Sequence, residues 1–106
     1  MSAESIKKGT SEMLILRLLD EEDMYGYQIV QEINKRSEGM FTLKEGSLYP
    51  VLYRLIEGGL VSDRMEIVGK RLRKYYHIET KGKERLKEIR QEYNNIITGI
   101  NKILGT

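Results

Sequence analysis

No cysteine occurs among the 106 residues, so the chain can form neither a disulfide framework nor a thiolate metal site. Tryptophan is absent, and histidine, phenylalanine and proline occur once each. A lone His77, with no HExxH, P-loop or GxGxxG pattern, leaves hydrolytic, phosphoryl-transfer and redox chemistry without their usual groups. The carboxylates of "DEED" at 20–23 are consecutive and lack the spacing of a cation loop. No enzyme, cofactor or metal is therefore expected. No apolar run approaches the roughly 18–20 residues of a membrane span. The start "MSAESIKKG" has no apolar signal core. A cytoplasmic protein with no membrane partner is expected.

What is present suits one globular domain, with 40% hydrophobic and 32% charged residues. The net charge of +2 hides an asymmetry. Residues 70–90 hold nine Lys or Arg against three acids, a balance of +6, while residues 1–69 hold eight bases and twelve acids, a balance of −4. Concentrated positive charge suggests a polyanion surface.

Hydrophobic spacing divides the chain into elements. "TSEMLILRLL", from Thr10 to Leu19, is apolar nearly all round and predicts a helix capped by Thr10 or Ser11. Such a helix must be covered on two sides, one by its own core and one by a partner. "MYGYQIVQEINKRSEG" predicts a second helix with Gly26, Ile29, Val30 and Ile33 on one side and Gly39 as its stop. "KEGSLYPVLYRL" opens a third, with Ser47 as N-cap and Pro50 in the first turn, halting at Gly58-Gly59. The period then changes. "LVSDRMEIV" and "RKYYHIE" flank "GKRL" and predict an antiparallel hairpin with a basic tip. In "YYHIE" alternation puts His77 opposite Tyr76 and Ile78, facing solvent. Last, Leu86, Ile89, Tyr93, Ile96, Ile100 and Ile103 are spaced 3-4-3-4-3, an a/d seam of under three heptads.

Three helices, a two-stranded hairpin and a long final helix is the order of a winged helix-turn-helix with an appended dimerisation helix. The fold class expected is mainly α with a small β-hairpin, residues 1–79 forming the DNA-binding part and 80–106 the dimerisation helix. In such modules the second helix of the helix-turn-helix enters the major groove of double-stranded DNA, and here that is Ser47–Glu57. At about 100° per residue, Val51, Leu55, Leu48, Leu52 and Ile56 fill one arc. Tyr49, Tyr53, Glu57, Pro50 and Arg54 fill the other. A phenol can donate to phosphate while its ring packs on sugar, and an arginine can bind guanine bidentately. Lys70, Arg71, Arg73 and Lys74, four bases in five residues, suit phosphate contacts from the wing. Tyr25 and Tyr27 bracket Gly26 at a helix start, where N–H groups can meet a phosphate. One of the two is expected in the core. The other reading of the same fold is a dimeric protein-interaction module that does not bind DNA.

The blocks "KKGTSEMLILRLL", "MYGYQIVQEI", "GSLYPVLYRLIEGGLV" and "RKYYHIETKGKERL", in that order, resemble the PadR family of bacterial transcriptional regulators. The resemblance covers roughly residues 7–90, and the length is similar to the family's short subfamily with a single C-terminal helix. It implies a homodimer built by the first and last helices, repressing transcription from an imperfect palindrome and relieved by a small planar aromatic or drug-like ligand. By position it implies Ser47, Tyr49, Pro50, Tyr53 and Arg54 as recognition-helix contacts. Lys70, Arg71, Arg73 and Lys74 would be wing contacts, and Tyr25 or Tyr27 a backbone contact. The dimer interface would draw on Leu14, Leu18, Leu86, Ile89, Tyr93, Ile96, Ile100 and Ile103. Family wings often have proline where Leu72 stands and threonine where Glu79 stands, so Thr80 is expected to cap the last helix one residue later. Some members stack a planar ligand between tryptophans of the C-terminal helix. Here Tyr93 is the nearest aromatic, with Met13 and Ile97 beside it as effector candidates.

Overall fold

Leucine and isoleucine are so dense between residues 13 and 19 that the first helix is drawn into contact with nearly every other element. The computed structural model describes residues 3–106, with side chains from Gly9 onward. Helix α1 spans Ala3–Glu21, β1 Met24–Tyr25, α2 Gly26–Arg36 and α3 Glu45–Glu57. Strands β2 (Val61–Val68) and β3 (Arg71–Ile78) follow, and α4 (Thr80–Leu104) closes the chain. The strands form one antiparallel sheet in the order β1-β3-β2. The fold is a winged helix with a long C-terminal helix, as the order of elements predicted.

The core gathers Ile15, Leu16, Leu18 and Leu19 of α1, Ile29 and Ile33 of α2, and Leu48, Val51, Leu52 and Leu55 of α3. The sheet adds Met24, Val61, Tyr76 and Ile78, and α4 adds Leu86 and Ile89. Exposed ion pairs stitch its edges: Lys83 to Asp20 at 3.7 Å and Arg85 to Glu12 at 3.5 Å join α4 to α1, and Arg36 bridges Glu21 at 2.6 Å and Glu32 at 2.8 Å. Each is worth little alone, but Lys83 and Arg85 are two of the nine cations whose local excess suggested a polyanion surface.

Several boundaries differ from the sequence reading, for one shared reason. No side chain hydrogen-bonds to the backbone at the N-caps of α2, α3 and α4, which are Tyr25, Lys44 and Glu79. Thr10 and Ser11, expected as caps, lie inside α1. Ser47 sits in the first turn of α3 rather than at its cap, which moves Pro50 to the sixth helical position. There its missing N–H leaves the Gly46 carbonyl without its helical donor. Thr80 is the first residue of α4, not its cap, while the Glu79 carboxylate accepts the Ser62 hydroxyl at 2.5 Å. Met24 and Tyr25 pair with Tyr76 and Tyr75 as a third strand instead of opening α2.

Helix ends are closed by backbone. Helix α2 stops at Arg36, and Glu38 and Gly39 take left-handed φ values of 53° and 82°, with the Gly39 N–H donating to the Asn34 carbonyl at 2.9 Å. Helix α3 ends in a Schellman arrangement at the expected glycines: Gly59 N–H donates to Ile56 and Leu60 N–H to Leu55. At the start of α4, Gly82 is buried so closely against the hairpin that a Cβ there would collide with the Leu60 carbonyl. From residue 91 onward α4 projects away from the body as exposed helix, and the molecule measures 55 × 29 × 23 Å.

Candidate nucleic-acid interface

The two arcs of α3 separate as their spacing predicts. Leu48, Val51, Leu52 and Leu55 are buried and Ile56 is half-buried, while Ser47, Pro50, Tyr53 and Arg54 face solvent. The loop before α3 is held in shape, with Asn34 Oδ1 accepting the Leu43 N–H at 3.2 Å and Ser37 Oγ accepting the Phe41 N–H at 3.0 Å. Tyr49 behaves differently from Tyr53. Its phenol lies against Gly26, where a Cβ would meet the hydroxyl at 2.7 Å. That close approach is why α2 begins with glycine. Burial pushes the Tyr49 phenol above its ordinary value, with Glu45 and Tyr53 adding to the shift. The Tyr53 ring stacks beside it at 6.4 Å between centroids and remains 57% exposed. Tyr49 therefore props Tyr53 outward.

A shallow cleft of about 330 Å³ joins this helix to the sheet, lined by Tyr25, Gly26, Tyr27, Tyr49, Tyr53, Arg73, Lys74 and Tyr76. Six of the residues singled out from sequence thus come together on one surface. Neither Tyr25 nor Tyr27 is core, against expectation: Tyr25 is half-buried on the sheet and Tyr27 is exposed. The aromatic that the core takes is Tyr76. Burial, then the neighbouring Tyr49, Tyr53 and Asp63, push its phenol up to about 12.

The hairpin is longer and its turn tighter than predicted. Gly69 and Lys70 alone form the turn, and Arg71 already pairs with Val68. Gly69 has φ 65° and Lys70 a negative φ, the signs of a type II′ turn. Arg71, Arg73 and Lys74 therefore lie on strand β3, not at the tip. Their roles diverge with the alternation. Arg73 stacks 4.3 Å over the Tyr25 ring, and Lys74 pairs with Asp63 at 3.7 Å on the opposite face. Lys70, Arg71 and Arg54 make no ion pair with any described residue.

The sequence reading missed a network on the outer face of the sheet. His77 is exposed, as alternation indicated, and its Nδ1 lies 2.7 Å from Asp23 Oδ1. The other Asp23 oxygen accepts from Arg64, whose guanidinium lies 5.5 Å over Tyr75. Tyr75 meets Tyr25 edge-on at 5.6 Å. Burial raises the Asp23 carboxyl, but the His77 and Arg64 hydrogen bonds outweigh it and hold the group below the ordinary 3.8. This network ties the residue before β1 to the hairpin and so fixes the wing against the start of α2. The acidic "DEED" run at 20–23 was the available signal.

The residues expected at a dimer interface divide. Leu18, Leu86 and Ile89 are spent in the core of the single chain, and Leu14 is half-buried. Tyr93, Ile96, Ile100 and Ile103 are exposed, together with Ile97 and Leu104. Met13 and Tyr93 line one cleft of about 240 Å³ with Leu14, Arg17, Arg90 and Asn94, and Ile97 lies outside it. Among the described residues, no helix is long and apolar enough to cross a membrane, and no group of acids and histidine could hold a metal ion.

A three-helix body whose third helix lies beside a cation-bearing antiparallel hairpin is the winged-helix architecture. Comparison with known proteins narrows the class. The model of the transcriptional regulator PadR-like family matches residues 15–88. An uncharacterized protein of Lysinibacillus sphaericus is 42% identical over 103 residues, covering 91% of this chain and 89% of that one. The transcriptional regulator YqjI of Escherichia coli is 31% identical over 88 residues, covering 83% of this chain but only 41% of the longer relative. Among solved structures, a transcriptional regulator from Clostridium thermocellum superposes with a TM-score of 0.86 at 30% identity, covering 96% of each chain. A PadR-like transcriptional regulator from Bacillus cereus gives 0.82 at 33% identity, covering 96% of this chain and 98% of its own. The chain belongs to the PadR-like family and is a transcriptional regulator rather than an enzyme.

Proposed function

We propose that two copies of the chain act together in the cytoplasm as a repressor on a palindromic operator. Residues 1–79 serve as the DNA-binding part, and the exposed stretch of 80–106 joins the copies. The observation that carries this reading is the cleft between α3 and the sheet, where Tyr53 and Tyr27 face solvent beside Arg73 and Lys74. Ser47, Pro50, Tyr53 and Arg54 present the edge of α3 that enters the major groove. Tyr49 holds Tyr53 in place and contributes its hydroxyl, and Tyr25 contributes through Arg73. Lys70 and Arg71 neutralise phosphates from the wing.

The dimer is supported by Tyr93, Ile96, Ile100 and Ile103, an exposed apolar stripe on a projecting helix. Leu14, half-buried on α1, adjoins it through the Met13–Tyr93 cleft. That cleft, closed by a second copy, suits a flat and mostly apolar effector walled by Tyr93 and Met13, with Ile97 one turn further along α4. The effector acts by favouring one spacing of the two recognition helices over another. Selection of duplexes from a random pool tests the reading. A palindromic consensus bound by two chains supports it, and an unenriched pool favours a winged-helix protein-interaction module.

A further inference from the structure

Beyond the cleft, the hairpin keeps an apolar stripe that no described residue covers. Because β2 and β3 pair in register, Asp63 shares a face with Tyr76, Met65 with Lys74, and Ile67 with Leu72. This is the face that looks toward α3, since Tyr76 and Lys74 line the cleft with Tyr49 and Tyr53. The core ends at Tyr76, yet the residues stay apolar: Ile67 is 78% exposed, Leu72 63% and Met65 50%. Threonine, lysine or glutamate would serve a merely solvated hairpin at these positions. Whatever covers the stripe also meets positive charge, because Lys70 in the turn and Arg71 beside it are cations that no described acid pairs.

We propose that the Ile67–Leu72 pair, with Met65 behind it, is an apolar wedge that enters the minor groove beside the major groove held by α3 and bends the duplex. The inference rests on the DNA-binding reading above. Four strand steps lead from Tyr76 out to Leu72. At about 3.3 Å each they carry the pair roughly 13 Å outward. The centre of the adjacent minor groove lies about half a helical turn, ~17 Å, from that of the major groove. The hairpin therefore reaches past one phosphate strand. Sugar walls of the minor groove accept aliphatic side chains, and inserted Leu or Ile partly unstacks a base step and kinks the duplex toward the major groove. Lys70 in the turn and Arg71 at the start of β3 meet the flanking phosphates, so charge positions the wedge and shape supplies the bend.

The test uses the full chain and a duplex that the wild-type protein selects from a random pool, end-labelled so that energy transfer reads the bend. The Ile67→Ser/Leu72→Ser double variant should bind on the order of tenfold more weakly and leave the duplex straighter. Its salt slope should be unchanged, because no phosphate contact is removed. Melting should also be unchanged, since both side chains lie outside the core. Should the serine variant fail to fold, Leu72→Thr keeps strand propensity and is read in the same way. A variant that matches wild type in affinity and bend overturns the wedge while leaving DNA binding intact. A variant that loses only higher oligomers in light scattering overturns it too, assigning the stripe to a second copy. A wild-type chain that selects no duplex overturns both readings.

Discussion

Replacing Gly82 with alanine should destabilise the protein, although alanine is the better helix former. The site lies in the first turn of α4, where a Cβ would collide with the Leu60 carbonyl and approach Ile78 Cγ1 to 2.8 Å. Alanine in place of glycine gains about 1 kcal/mol of helix propensity. The obstacle, however, is backbone and cannot swing aside. The helix must back away from the hairpin by roughly 1 Å to restore van der Waals separation. That movement strains the Glu79 N–H to Leu60 carbonyl hydrogen bond of 2.9 Å and loosens Leu86 and Ile89 in the core. Overpacking of this kind costs about 1–3 kcal/mol, and the hydrogen bond about 1 kcal/mol more. After the propensity gain, the net loss is about 1–3 kcal/mol, which lowers the melting temperature by roughly 5–20 °C in a domain of this size. Thermal denaturation by circular dichroism at one fixed protein concentration reads this directly. Gly46→Ala, where the new Cβ meets nothing within 4 Å, is the control and should be neutral or mildly stabilising. A Gly82→Ala protein as stable as wild type would refute the packing of α4 against the hairpin.

Four further outcomes are expected. Ile96→Asp with Ile100→Asp should leave the winged-helix body folded and yield a monomer in light scattering, with weaker operator binding, because both side chains lie outside the chain's own core. Lys70→Ala or Arg71→Ala should weaken binding to cognate and random DNA alike and flatten the salt slope by about one unit per lost contact, read in salt titrations. Asp23→Asn should destabilise the protein at neutral pH. Because the native carboxyl is held below its ordinary 3.8, that contribution is present above this value and lost as pH falls through the lower native one, so wild-type and variant stabilities should converge in acid. Tyr76, raised to about 12, works in the other direction: its contribution is complete below the ordinary 10 and is lost as pH rises toward 12. Alkaline unfolding of wild type against Tyr76→Phe reads this.

What was legible in the sequence was whatever a strong period wrote. The arcs of α3 were readable because five apolar and five non-apolar residues alternate at helical spacing with no exception. The hairpin was readable from its β-branched and aromatic content. Strand β1 was not, because two residues carry no period, and their partners Tyr75 and Tyr76 lie about fifty positions away. Helix starts were misplaced because capping here is left to backbone, while serine and threonine, the usual markers, stand inside helices. The 3-4 seam of α4 was read correctly as apolar, but spacing does not say who covers it. Leu86 and Ile89 turn to the chain's own core, and the stripe from Tyr93 to Ile103 does not. The collision at Gly82, and the Gly26–Tyr49 contact that seats α3, are matters of distance between elements that a one-dimensional pattern does not contain.

The central claim is that the exposed edge of α3 reads base sequence while the wing supplies charge. Fluorescence anisotropy of the full chain on a selected duplex and on a scrambled one, repeated across salt concentrations for wild type, Tyr53→Ala and Arg54→Ala, tests it most directly. The account predicts that each substitution costs about 1–3 kcal/mol on the selected duplex, with little change on the scrambled one and a salt slope carried by both DNAs. Equal losses on both duplexes, or wild-type binding that does not discriminate between them, would contradict it.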